Sequence, residues 1–128
     1  MQTHCACDSN KNFTDCCGCY IEGNASAPSA EALMRSRYVA YTLGREDYLL
    51  ATWHPSTRPT TLDMVDNIET KWLGLKVKRH EYNPQEPDRA VVEFVARYKV
   101  GGRAHRLHEV SRFVREDEQW FYVDGDIR

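Results

Sequence analysis

The stretch AVVEFVARYKVGGRAHRLHEVSRFVR, residues 90–115, decides how this chain is read. Apolar and polar side chains alternate through 90–100 and again through 103–115, the period of two that marks half-buried strands. Gly101-Gly102 between them reads as a hairpin turn, because glycine enters the left-handed backbone of tight turns without steric cost. The alternation extends outward to 72–82 and to 119–126, with turns at Pro84 to Asp88 and Glu116 to Glu118. Four strands joined by short turns make an antiparallel meander.

Working back toward the N-terminus, the period changes. Residues 30–43 place Ala30, Leu33, Met34, Tyr38 and Tyr41 at helical spacing, with Ser29 as the cap and Gly44 as the stop. A second helix runs from about Glu46 to Trp53 and halts before Pro55. A third is expected over roughly Leu62 to Thr70. Helices followed by an antiparallel sheet define an α+β domain over residues 30–128. Alternation puts Leu73, Leu75 and Val77 on one face of the first strand, and Val92, Phe94, Ala96 and Tyr98 on one face of the second. Leu107 and Phe113 mark that face on the third strand, with Glu109 and Ser111 between them. In the fourth, Trp120/Tyr122 and Phe121/Val123 compete for the inward positions.

The 128 residues are 41% hydrophobic and 28% charged, which suits one globular domain with a small appendage and excludes a disordered chain. No apolar run approaches the eighteen or so residues that span a bilayer, and the N-terminus is polar rather than basic and then apolar. A soluble cytoplasmic protein with no membrane partner is expected. The net charge is −2. Lys11 against Asp8, Asp15 and Glu22 accounts for all of it within residues 1–30, so the rest of the chain is neutral and any basic site is local.

Residues 5–19 read CACDSNKNFTDCCGC and hold all five cysteines. An odd count in a chain without a secretory signal argues against a disulfide framework. Redox thiols and a metal site remain. Cys5 and Cys7, then Cys16 and Cys17, are separated by turn-forming residues (Asp8, Ser9, Asn10, Asn12) that let the two pairs meet. Four converging thiolates form a closed tetrahedral site suited to one structural zinc ion. The segment's large apolar side chains are only Phe13, Tyr20 and Ile21, too few for a core, whereas a structural zinc contributes about 10–16 kcal/mol to such peptides. Residues 1–22 are therefore read as a zinc knuckle and 23–29, small and polar with Pro28, as a linker.

The pattern of Cys-x-Cys, eight residues and Cys-Cys-Gly, with an aromatic three before the pair, resembles the SEC-C motif. LMRSRYVAY (33–41), YLLATWHPSTRP (48–59), HEVSRFVRE (108–116) and WFYVDGD (120–126) are similar to the YchJ family. That resemblance runs nearly end to end. It implies a SEC-C motif followed by a nuclear-transport-factor-2-like, cystatin-like cone, with helices packed in a curved four-stranded antiparallel sheet. It also implies Cys5, Cys7, Cys16 and Cys17 as zinc ligands. Asp8-Ser9-Asn10-Lys11 replaces the family's usual Gly-Ser-Gly-Lys. Cys19 is an additional thiol, and His4 is a reserve ligand.

Arg37 falls in the middle of the first helix's apolar stripe, where a guanidinium needs a partner. Glu109 is expected to supply it, directly or through Ser111 or a tyrosine hydroxyl. The pair is either a structural bridge or the floor of a pocket that includes Tyr38, Trp53 and Tyr122. His54, Arg58 and Asp124 are further pocket candidates, His54 as an acid–base group at a helix end. The opposite sheet face carries Lys76, Lys78, His80, Arg97, Lys99, Arg106, His108 and Arg112, with Trp72 and Tyr82 nearby. It reads as a solvated surface or an RNA-binding one. Three functions follow: docking of a protein, ribosome or export partner through the knuckle; small-molecule binding or isomerase-like chemistry in the cone; and nucleic-acid binding on the sheet.

Overall fold

A computed structural model describes residues 5, 7, 16–23, 25–60 and 70–128. The expected third helix, save Thr70, lies outside the described residues, as do His4, Phe13 and the turn formers of the knuckle. The described chain runs α1 (Cys17–Ile21), α2 (Ala30–Leu43), α3 (Glu46–Ala51), β1 (Thr70–Asn83), β2 (Glu86–Val100), β3 (Arg103–Glu116) and β4 (Gln119–Ile127). The strands form one antiparallel sheet in the order β1-β2-β3-β4.

α2 forms where the spacing predicts it. The Ser29 hydroxyl accepts from the Ala32 amide, and Gly44 ends the helix at φ +69°. Its inner face (Leu33, Met34, Tyr38 and Ala40) packs into the sheet against Leu75, Val92, Phe94, Ala96 and Phe113 in one continuous core. Leu33 and Leu49, both almost wholly buried, each contribute about 1.5–3 kcal/mol there. α3 stops at Ala51, two residues before the expected end, because Trp53 has already joined β4 as a parallel bridge to Tyr122.

Three register shifts alter the expected faces, and the one between Val77 and Arg79 sets His80, expected on the outer face, opposite the buried Val92 and 3.9 Å from Glu31 of α2. A bulge between Trp72 and Gly74 puts two residues where one was expected. Trp72 therefore turns into the core while Leu73, assigned inward by simple alternation, is 42% exposed. The third shift, at Arg112/Phe113, sets Phe113 opposite Tyr122 and Arg112 opposite Asp124. Trp120 and Tyr122 take the inward positions of β4. β2 begins at Glu86, earlier than expected, and Pro87 lies where the ladder with β1 is irregular, which suits a residue with no amide hydrogen.

The knuckle shares this core. Cys5, Cys7, Cys17 and Ile21 are buried with the α2 residues, and Ala27, in the segment read as a linker, is buried as well. Arg35 on α2 donates to the Cys7 carbonyl at 2.6 Å, and Arg45 reaches Glu22. No helix among the described residues is long and apolar enough to cross a membrane.

Candidate functional site

The Sγ atoms of Cys5, Cys7, Cys16 and Cys17 all lie within 4.8 Å of one another. None is in a disulfide. A tetrahedral zinc with Zn–S bonds of about 2.3 Å sets its sulfurs about 3.8 Å apart. Cys7 Sγ is 3.6 Å from Cys16 Sγ, and Cys16 Sγ is 3.9 Å from Cys17 Sγ. α1 makes this arrangement by starting at Cys17, so that the Cys16-Cys17 pair sits at the helix entrance. The Cys17 thiol is held far above its usual range, first by its hydrogen bond with Cys7, then by burial and by the nearby Cys7 and Cys5. Burial also raises Cys5. Such a cluster cannot ionise fully without a cation to offset the charge, so the donor set fits a metal. Cys19 stands apart: its Sγ donates to the Cys16 carbonyl at 2.8 Å.

The second site lies inside the cone. Arg37 is 6% exposed, and the Arg37–Glu109 ion pair expected from the sequence does not form. Its Nη1 instead donates to the Leu49 carbonyl and the Thr52 hydroxyl, each at 2.7 Å. The physical reason is the end of α3, whose last carbonyls lack intrahelical partners and carry the negative end of the dipole. The guanidinium also lies 4.7 Å from the centre of the Tyr122 ring and 5.2 Å from that of Trp53. Burial lowers its pKa, offset in part by Tyr41, Tyr122, Tyr48 and Glu109.

Glu109 takes its hydrogen bonds from neutral donors. Ser111 Oγ and Tyr122 Oη both donate to Oε2, the latter at 3.3 Å. Tyr122 thus links the two charges, but through its ring face on the Arg37 side rather than by the expected hydroxyl bridge. Burial raises the Tyr122 phenol, and Glu109 adds to the effect. Beside the two charges a cavity of about 250 Å³ remains open. Arg37, Tyr38, Trp53, Glu109, Ser111 and Tyr122 all line it, as the sequence suggested. Met34, Tyr41, Trp72, Phe94, Ala96, Leu107 and Phe113 complete the wall. Tyr41 was legible in the helical stripe; Trp72 was hidden by the bulge.

Three pocket candidates lie elsewhere. Asp124 is on the outer sheet face, paired with Arg112, because the β3–β4 shift turns it away. Arg58 is exposed and donates to the Trp53 carbonyl at 3.0 Å. His54 is anchored outside the cavity: its Nδ1 accepts from the Ser56 amide at 3.1 Å, and its Nε2 lies 2.9 Å from Glu116. An acceptor Nδ1 leaves the proton on Nε2, so the ring bridges the loop to β3. The Trp-His-Pro-Ser-Thr-Arg-Pro string of 53–59 is thereby a clamp. His54 N bonds to Tyr122 O, Thr57 Oγ1 to Val123 O, and the Trp53 ring meets that of Tyr122 edge-on at 5.0 Å.

A four-cysteine knuckle seated on an open cone of sheet and helix is the architecture of a SEC-C motif protein with a nuclear-transport-factor-2-like domain. The chain belongs to the YchJ family: the family model for the YchJ middle NTF2-like domain matches residues 29–125. A UPF0225 protein of Chromobacterium violaceum is 57% identical over 123 residues, covering 94% of this chain and 90% of its own. Another, from Polaromonas naphthalenivorans, is 60% identical over 114 residues, 89% of this chain and 81% of its own. The solution structure of a SEC-C motif containing protein from Rhodopseudomonas palustris is similar at a TM-score of 0.85 and 36% identity. It covers 97% of this chain and 98% of that one. The crystal structure of such a protein from Psychrobacter arcticus follows at 0.78 and 28%, covering 97% and 82%.

Proposed function

We propose that this protein binds a small planar aromatic molecule in the cone, and that its knuckle holds one structural zinc ion. The observation that carries the reading is an open cavity lined by both Arg37 and Glu109, which form no ion pair with each other. Had they paired, the centre would be filled. Instead, both residues line a chamber whose wall includes tyrosine and tryptophan. Pockets of this kind combine apolar walls with a few placed polar groups. A flat ligand with a hydrogen-bond acceptor at one edge and a donor at the other satisfies both charges while its faces meet the rings. The volume suits a fragment-sized molecule. His54, the acid–base candidate read from the sequence, is engaged outside the chamber and takes no part in this reading.

Protein docking through the knuckle is the competing reading, with the ribosome or export machinery as its form. It has less support, because Cys17 and Ile21 of α1 are buried in the core shared with α2 and are withdrawn from any partner. Zinc is chosen for its tetrahedral all-thiolate preference. The free thiols fit a reducing compartment, and we place the protein in the cytoplasm on that ground.

The test is amide-resolved NMR of the full chain with a panel of small heteroaromatic compounds, after elemental analysis of its metal. The reading expects one zinc per chain, reduced in Cys16→Ala, and saturable shifts at the amides of Tyr41, Phe94, Ser111 and Tyr122 that vanish in Arg37→Met. A panel that moves none of those amides, together with retention of a specific protein on immobilised wild type but not on Cys16→Ala, would replace binding by docking.

A further inference from the structure

The outer face of the sheet carries an arrangement that neither the cone nor the knuckle explains. Lys71 is opposite Lys99 on β1 and β2, and Arg97 is opposite Arg106 on β2 and β3. Lys76 follows on the next row of β1, facing Val95. All five basic side chains are exposed. Like charges directly opposite each other across a sheet are destabilising, so folding alone disfavours two such rungs in succession.

The contrast with the other cations sharpens the point. Arg79, Arg112 and Arg115 each have a carboxylate within 3.2 Å. His108 is likewise engaged by Glu93. Lys71, Lys76, Arg97, Lys99 and Arg106 have no salt bridge to any described residue. A groove lined by Lys76, Lys78, Arg97 and Arg106 runs between them, floored by Gly74 and Val95. The chain's net charge is −2, so this is a local concentration of positive charge on a neutral domain.

The chemistry also says what kind of anion fits. Among the described residues no aromatic ring lines the groove: Trp72 is turned into the core by the bulge, Tyr98 is stacked on His105 and packed beside Trp72, and the exposed Tyr82 lies beside His80 toward the other end of β1. Splayed single-stranded bases would find nothing to stack on. A sheet instead fixes its side chains about 4.7–4.9 Å apart between strands and about 6.6–6.8 Å apart along them, a rigid lattice suited to a rigid array of phosphates. We propose that this face binds the phosphate backbone of a nucleic-acid duplex, without base readout, through Lys71, Lys76, Arg97, Lys99 and Arg106. The contact is independent of the cone cavity.

The experiment is fluorescence anisotropy of the full chain with a labelled 16-base-pair DNA duplex of mixed sequence, titrated from 50 to 200 mM salt. Five phosphate contacts predict a log–log slope of about −4.5, or roughly 500-fold weaker binding over that range. Arg97→Ala with Arg106→Ala should bring the slope to about −2.7, while Arg112→Gln leaves it unchanged. Removing a like-charge rung should not lower the melting temperature; if that variant fails to fold, Lys76→Ala with Lys99→Ala carries the same test. A slope shallower than about −1, or one unmoved by these substitutions, overturns the proposal. So does tighter binding of the corresponding single strand. Equal affinity for a poly-glutamate peptide of the same charge also overturns it, assigning the face to acidic proteins.

Discussion

Replacing Gly125 by alanine changes no residue of the cavity wall, yet it should reshape the cavity floor. Gly125 lies opposite Ser111 in the β3–β4 register. A Cβ there would come within 2.8 Å of Glu109 Cδ and 3.0 Å of Cγ, and closer still to Oε2. The backbone at Gly125 is not left-handed, so alanine meets no conformational penalty and the clash alone is at issue. Glu109 must swing away, leaving the hydrogen bonds from Ser111 and Tyr122. Bonds to a charged group are worth about 1.5–3 kcal/mol each. Part of that is recovered as the carboxylate meets water in the cavity, so the net loss should fall in the range of about 1–3 kcal/mol typical of overpacking. Urea denaturation of wild type, Gly125→Ala, Glu109→Ala and the double variant measures it. The single glycine substitution should cost that amount, and the same change in the Glu109→Ala background should be nearly neutral. An equal loss in both backgrounds would show that Glu109 is not what the glycine accommodates.

Phe113→Ala, which empties a fully buried position between sheet and cavity, should cost about 3–5 kcal/mol in the same assay. Ser29→Ala removes the hydroxyl that caps α2 and should cost about 1 kcal/mol, with Ser29→Asp largely neutral. Glu93 is held below its ordinary value of 4.5, first by the hydrogen bond from His108 and then by Arg79. A carboxylate depressed in the folded state stabilises above its unfolded value, and that contribution disappears as pH falls through the folded one. Melting temperature measured from pH 6 to pH 3 should therefore drop below about pH 4.5, and Glu93→Gln should make the drop shallower. An unchanged acid limb in that variant would move the cause to other carboxylates.

Most of the sheet was legible because its signals are local. The Gly101-Gly102 turn, both at positive φ, and the alternation of β2 and β3 required nothing from the rest of the chain. Ser29 and Gly44 bounded α2 for the same reason. The errors all arose where a single residue of register or a tertiary contact decided. The bulge at Trp72 exchanged the roles of Trp72 and Leu73, and the shift at Arg112 carried Asp124 out of the candidate pocket. Arg37 was correctly placed in the core from helical spacing, but its partner came from α3, whose end is set by how Trp53 joins β4. Spacing reports which face a side chain occupies; it does not report which of two nearby acceptors reaches it.

The five cysteines at one end take on a different meaning once the knuckle is seen in place. A knuckle joined by a free linker would need metal only for its own fold. Here Cys5, Cys7 and Cys17 are buried against α2, and Arg35 holds the Cys7 carbonyl from the helix turn that also presents Arg37 and Tyr38 to the cavity. Ser36 lies between them, bonded to the Tyr48 hydroxyl of α3. α2 is therefore fixed on one side by the cysteine cluster and on the other by the sheet, and its cavity-facing side chains inherit both constraints. The metal that the donor set fits would order the knuckle and, through it, the wall of the cone.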